Sequence, residues 1–132
     1  MVILFDQYNL PEDIFTVVFA TDQQIVVGKM LVDSLKAQGG EMGKTEMSMF
    51  ANQLHEGITI PAKQAGPLKV GKPSSLSYNK RQFYDRILTP MRAMGMIDYD
   101  VYRKKYKISN TFNTAMIKIG LLWLQEVRKP TS

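Results

Sequence analysis

Residues 78–109 read YNKRQFYDRILTPMRAMGMIDYDVYRKKYKIS, from Tyr78 to Ser109. Phe83, Ile87, Leu88, Met91 and Met94 fall at the spacing of one helix face. Gly95 stands where a helix-ending glycine is expected. From Met96 the period changes to two: Ile97, Tyr99 and Val101 on one side, Asp98, Asp100 and Tyr102 on the other. A basic tip, Arg103-Lys104-Lys105, leads into a second extended run, Tyr106-Lys107-Ile108. The stretch therefore predicts a helix over 79–94 followed by a hairpin over 96–108. Pro90 removes a backbone hydrogen bond, so a kink or break is expected near residue 89, or a restart capped by Thr89.

Upstream, Pro11-Glu12-Asp13 suits a helix start, and Ile14, Val17 and Val18 extend it over 11–19. Thr21 with Gln24 forms a capping-box pattern. It opens a helix to about Gln38 that buries Ile25, Met30, Leu31 and Leu35 and stops at Gly39-Gly40. Thr45 is read as the cap of a helix over 45–56 with Met47, Phe50, Ala51 and Leu54 inward. Residues 57–77 are rich in Gly, Pro, Ser and Lys and are expected to form a loop of about twenty residues. Its Lys63, Lys69 and Lys72 suit either an arm touching phosphates or a solvated insertion. Asn110 or Thr111 opens a last helix over 111–129. There Phe112, Met116, Ile119, Trp123 and Val127 make one stripe, with Ile117, Leu121 and Leu124 beside it. That arc is wider than a small core requires, and packing against a second copy is favoured over full burial.

The 132 residues, 45% of them hydrophobic, suit one folded domain with a core of its own. The absence of cysteine excludes disulfides and thiolate metal sites. Met1–Phe5 lacks the features of a signal peptide, and no apolar run reaches membrane-spanning length. A soluble, cytoplasmic protein with no membrane partner is expected. Residues 1–62 hold three basic and eight acidic groups, a net charge of −5, while residues 63–132 hold fourteen and four, a net of +10. A basic half of this size points to an anionic partner.

The order helix, helix, long connection, basic helix, hairpin, C-terminal helix resembles the winged helix-turn-helix superfamily of DNA-binding proteins. The features that carry the resemblance are Met91-Arg92-Ala93-Met94-Gly95-Met96-Ile97, similar to its helix end, and Tyr106-Lys107-Ile108-Ser109, similar to its closing strand. Two features depart from it: the long connection before the third helix, and Pro90 late in that helix. The resemblance implies an α+β fold, mainly helical with a small β-hairpin wing, whose core spans about residues 20–109. Helix 79–94 would enter the major groove of double-stranded DNA, and helix 111–129 would form a homodimer. Tyr78, Asn79, Lys80, Arg81, Gln82 and Arg86 are then the candidate groove contacts. Arg103, Lys104 and Lys105 are the candidates for phosphates or the adjacent minor groove. A transcriptional regulator without catalytic residues or cofactor is the resulting expectation. A protein-binding subunit of a larger replication or transcription assembly is a rival. So is a single-strand or RNA binder stacking bases on Tyr78, Tyr84, Tyr99, Tyr102 and Tyr106.

Sites for catalysis or metal are weak. His55 is the only histidine and has no HxH or HxxxH spacing around it. Asp98 and Asp100 share a strand face but suit salt bridges better than a cation. Residues 39–45 lack the spacing of a phosphate-binding loop. The nine methionines sit mostly at core spacing, and no residue is nominated for an effector ligand.

Overall fold

A computed structural model describes residues 5–56, 58–60, 74–76 and 79–131. It is an α+β fold, with helices packed on a three-stranded antiparallel sheet and a separate two-stranded pair. The first helix, α1, is only Phe15–Val18, shorter than the expected 11–19. The acids ahead of it act as a start signal instead of lying inside it. The Asp13 carboxylate accepts the Phe15 N–H at 2.9 Å and pairs with Lys29 of the next helix. Phe19 then turns extended, which ends the helix after one turn.

Helix α2, Asp22–Ala37, begins as the sequence dictates. The Thr21 hydroxyl accepts from Gln24 N–H, and the Gln24 side chain accepts from Thr21 N–H. It buries Ile25, Leu31 and Leu35 as expected, and also Val26 and Val27, while Met30 is only half-buried. Its end is a Schellman turn: Gly40 N–H bonds Leu35 O, and Gly39 N–H bonds Lys36 O. Directly after it, Glu41–Gly43 forms a strand, β1, that sequence periodicity does not signal. Helix α3 runs Lys44–His55, with Gly43 and not Thr45 at the cap position. Its inward residues, Met47, Phe50, Ala51 and Leu54, are the expected four.

The connection after α3 is not loop throughout. Ile58–Ile60 (β2) pairs antiparallel with Ser74–Leu76 (β3), Ile58 opposite Leu76. Pairing draws the two ends of the long connection together, so α3 and the following helix are joined as if by a short turn. Lys63, Lys69, Lys72 and Tyr78 lie outside the described residues.

Helix α4 is continuous in three segments: α-helical Lys80–Phe83, a π-helical stretch Tyr84–Leu88, and α-helical Thr89–Ala93. The expected disturbance at Pro90 takes this form. The Thr89 N–H reaches back five residues to the Tyr84 carbonyl, widening the turn just before a residue with no N–H to donate. Gly95 closes α4 at φ +83°, with Met96 N–H to Met91 O and Gly95 N–H to Arg92 O. A side chain there would be strained, and its Cβ would lie 2.8 Å from the Phe112 nitrogen.

Strands β4, Ile97–Asp100, and β5, Lys105–Ile108, then pair, and β1 adds to the outside of β5. The turn is 101–104, so Lys105 belongs to a strand and Val101 and Tyr102 to the turn. One sheet face sends Met42, Ile97 and Tyr106 into the core. There they meet Leu31, Met47, Phe50, Phe83, Ile87 and Met91 from the three helices, with the Phe50 and Phe83 rings tilted at 5.4 Å. Burying each such side chain stabilises the fold by about 1.5–3 kcal/mol. The last helix, α5, is Thr111–Arg128. Asn110 occupies its cap position without a side-chain bond, and Ser109 Oγ accepts the Thr111 N–H instead. None of its residues is buried. Full burial of this helix is thereby excluded in the single chain.

Candidate nucleic-acid interface

The first turn of α4 is fixed by its own side chains. Asn79 Oδ1 accepts the Gln82 N–H at 2.8 Å, and Gln82 Oε1 accepts the Asn79 N–H at 3.1 Å. Both amide oxygens are engaged in this capping box. Each oxygen keeps a second lone pair and each NH2 is outside the box, so a bidentate pair with adenine would have to be made in the orientation the box imposes. Lys80 Nζ donates to Ser48 Oγ of α3 at 2.6 Å, which ties the helix start to its neighbour. Arg81 pairs with Asp85 one turn on, at 3.5 Å and largely in solvent. Such an i,i+4 pair contributes a few tenths of a kcal/mol. Arg86 is exposed and makes no ion pair with another described residue. The exposed stripe then continues through Thr89 to Arg92 and Ala93.

Arg92 was not among the residues expected from sequence, yet it links helix and hairpin. Its guanidinium stacks over Tyr99 at 5.6 Å and Tyr106 at 5.9 Å, and those two rings meet at 4.6 Å. Burial pushes the Tyr106 phenol above its ordinary value, with the positive Arg92 acting against that. Beside this stack lies an open crevice of about 600 Å³. The α4 residues Thr89, Arg92 and Ala93 line one wall, and Asp98, Tyr99, Asp100 and Lys107 of the hairpin line the other. The signal for Arg92 in the sequence was its place on the polar side of a basic helix. What hid it was that its partners come from strands.

The hairpin tip is built by Asp100, whose carboxylate accepts the N–H groups of Tyr102 and Arg103 at 3.0 and 3.2 Å. The bond from the Arg103 N–H holds that carboxyl below its ordinary value, ahead of opposing desolvation. Lys104 takes the left-handed conformation, φ 54°, at the exposed end of the turn and has no ion pair with a described residue. Arg103 and Lys105 are different. Both reach Glu41 of β1, at 2.8 and 3.7 Å. The Arg103 hydrogen bond holds the Glu41 carboxyl below its usual range. Three acids, Glu41, Asp98 and Asp100, stand in register with Lys105 and Lys107 on the outer sheet face. The hairpin is therefore partly self-neutralised, and Lys104, among the described residues, has neither an ion pair nor a carboxylate in register with it.

Other candidate sites have structural occupations. Asp98 accepts from the Thr111 hydroxyl at 3.5 Å, and His55 lies in the exposed last turn of α3. Among the described residues, no three His, Cys, Asp or Glu side chains gather as metal ligands do. No helix among them is long and apolar enough to cross a membrane. Compared with known proteins, the chain matches no family model, no curated protein and no solved structure.

Proposed function

We propose that the chain is a dimeric winged-helix protein that binds double-stranded DNA sequence-specifically and regulates transcription without catalysing a reaction. In this reading α4 enters the major groove and the β4–β5 hairpin is the wing, over the backbone or minor groove. The observation that carries it is the shared crevice: the exposed side of the basic helix and the hairpin border one open space. A duplex lying along that crevice would meet Arg92 on the helix and Lys107 on the hairpin, with Arg86 and Lys104 exposed on the same two elements. Phosphate contacts from these cations would supply affinity, and the helix side chains facing base edges would supply choice. The third strand, β1, docks the hairpin against the helices and gives such a wing a fixed position.

The single-strand reading is supported less well. Tyr99 and Tyr106 are packed against each other and under Arg92, so their faces are not open platforms, whereas Tyr102 is 95% exposed. The protein-partner reading draws on one observation, that no residue of α5 is buried.

The test is binding of the full chain to random-sequence duplex and to single strands across a salt series. Duplex affinity that falls steeply with salt and exceeds single-strand affinity is the expected result. Negligible duplex binding at low salt would end the proposal, and a preference for single strands would replace it.

A further inference from the structure

Resting on the dimeric reading above, the geometry points to a second copy of this chain as the occupant of α5, packed antiparallel and crossing at the level of residue 122, where each Gly120 faces the partner's Leu124. At 3.6 residues per turn, Ile117, Gly120, Leu124 and Val127 fall on one line, and Lys118 and Gln125 fall opposite it. Met116 and Trp123 flank the line on one side and Leu121 on the other, an apolar arc of roughly 160°. From Met116 to Val127 the large apolar side chains on this arc are 38% to 69% exposed. Together they offer roughly 650 Å², within the range each partner gives to a standard interface.

The line is complementary to itself in one orientation. A two-fold axis at the level of residue 122 sets Ile117 against the partner's Val127, and Gly120 against the partner's Leu124. The large side chain meets the small one at both symmetry-related levels, as an isologous contact requires. Nothing lies within 4 Å of the place a Gly120 Cβ would occupy, so the single chain leaves that room unused. The same axis opposes the two helix dipoles. A parallel pair would instead set Gly120 on Gly120 and Leu124 on Leu124, small on small and large on large. At the foot of the seam, an apolar groove of about 440 Å³ runs between Phe15, Val32, Met96 and Phe112. Asn113, in line with Ile117, borders it, so the residues just past the last helical turn of the second copy would run over this groove. The dimer that results presents two helix–hairpin units related by a two-fold axis, which suits a duplex of two inverted half-sites.

The chain has no cysteine, which makes single-cysteine variants clean probes. Ile117→Cys and Val127→Cys are each purified and oxidised, alone and mixed. Cross-linked dimer only in the mixture is expected. Cross-linking of each variant with itself, or a wild-type chain that sediments as monomer at every concentration, overturns the arrangement. Gly120→Leu has open space in the single chain, so it should fold with undiminished helix content by circular dichroism. Its dimer dissociation constant should rise about tenfold or more. A Gly120→Leu chain that dimerises as tightly as wild type also refutes the crossing. Duplex binding is measured on the same preparations. Salt-dependent binding with self-cross-linking sinks only the antiparallel seam, and antiparallel cross-links without duplex binding sink only the DNA reading.

Discussion

Glu41 offers a test of the proposed phosphate contact by the hairpin, and its sign is fixed by geometry. It holds Arg103 at 2.8 Å and Lys105 at 3.7 Å, whereas Lys104 has no ion pair with a described residue. Each phosphate contact adds about −0.9 to the slope of log affinity against log salt. Over a fourfold rise, from about 50 to 200 mM, that is about 3.5-fold in affinity per contact. Lys104→Ala should therefore flatten the slope by about 0.9. Arg103→Ala should flatten it by less, because the wild-type arginine must exchange Glu41 for phosphate. Glu41→Gln removes the internal competitor and one negative charge, so it should steepen the slope by up to about 0.9 and tighten binding at low salt. The ion pairs that are lost lie in solvent, where such pairs contribute little to stability, so the variant should remain folded. The assay is fluorescence anisotropy of a labelled random duplex at several salt concentrations, with circular dichroism as a control for folding. If Glu41→Gln and Lys104→Ala both keep the wild-type slope, the hairpin does not touch phosphates. A flatter slope for Glu41→Gln would refute the reasoning outright.

Three further outcomes follow from the fold. Gly95→Ala combines φ +83° with a Cβ 2.8 Å from the Phe112 nitrogen, and should cost at least about 2 kcal/mol. In a thermal melt that is a midpoint lower by roughly 5–10 °C, and an unchanged midpoint would show that the α4–α5 corner gives way freely. Thr21→Ala removes half of the α2 capping box and should cost about 1 kcal/mol in urea unfolding, whereas the neighbouring Asp22→Ala should not reproduce that loss. The carboxyls of Glu41 and Asp100 are held low, by the Arg103 side chain and by its N–H respectively. Their contribution is thus complete above the unfolded-state values and lost as pH falls through the folded ones. Amide exchange at 101–105 should accelerate as pH drops below about 4.5, relative to the intrinsic rate, while α2 stays protected. Equal loosening of α2 would place the acid-sensitive contact elsewhere.

The sequence alone determined the features that depend on neighbours along the chain. Thr21 with Gln24 marks the start of α2, and Gly39 and Gly95 end α2 and α4, because caps are satisfied within a few residues. The inward faces of α3 and α4 follow from the 3.6-residue period, and the hairpin from the change to a period of two at Met96. The cationic tip was also legible, as composition.

Tertiary structure decided everything that needed a partner distant in sequence. Strand β1 has three residues and no pattern of its own, and it exists because Lys105–Lys107 offers a free edge to Glu41–Gly43. The pairing of Ile58–Ile60 with Ser74–Leu76 shortens a connection that composition shows only as loop. Arg92 joins the candidate interface because Tyr99 and Tyr106 lie under it, and two of the three tip cations are tempered because β1 brings Glu41 beside them. Charge in a sequence is a sum, but charge at a surface depends on which opposite group the fold sets within about 4 Å. Hydrophobic period in α5 likewise fixes a face but not what covers it. The fold left that face in solvent, because the core of α2, α3, α4 and the sheet is filled without it.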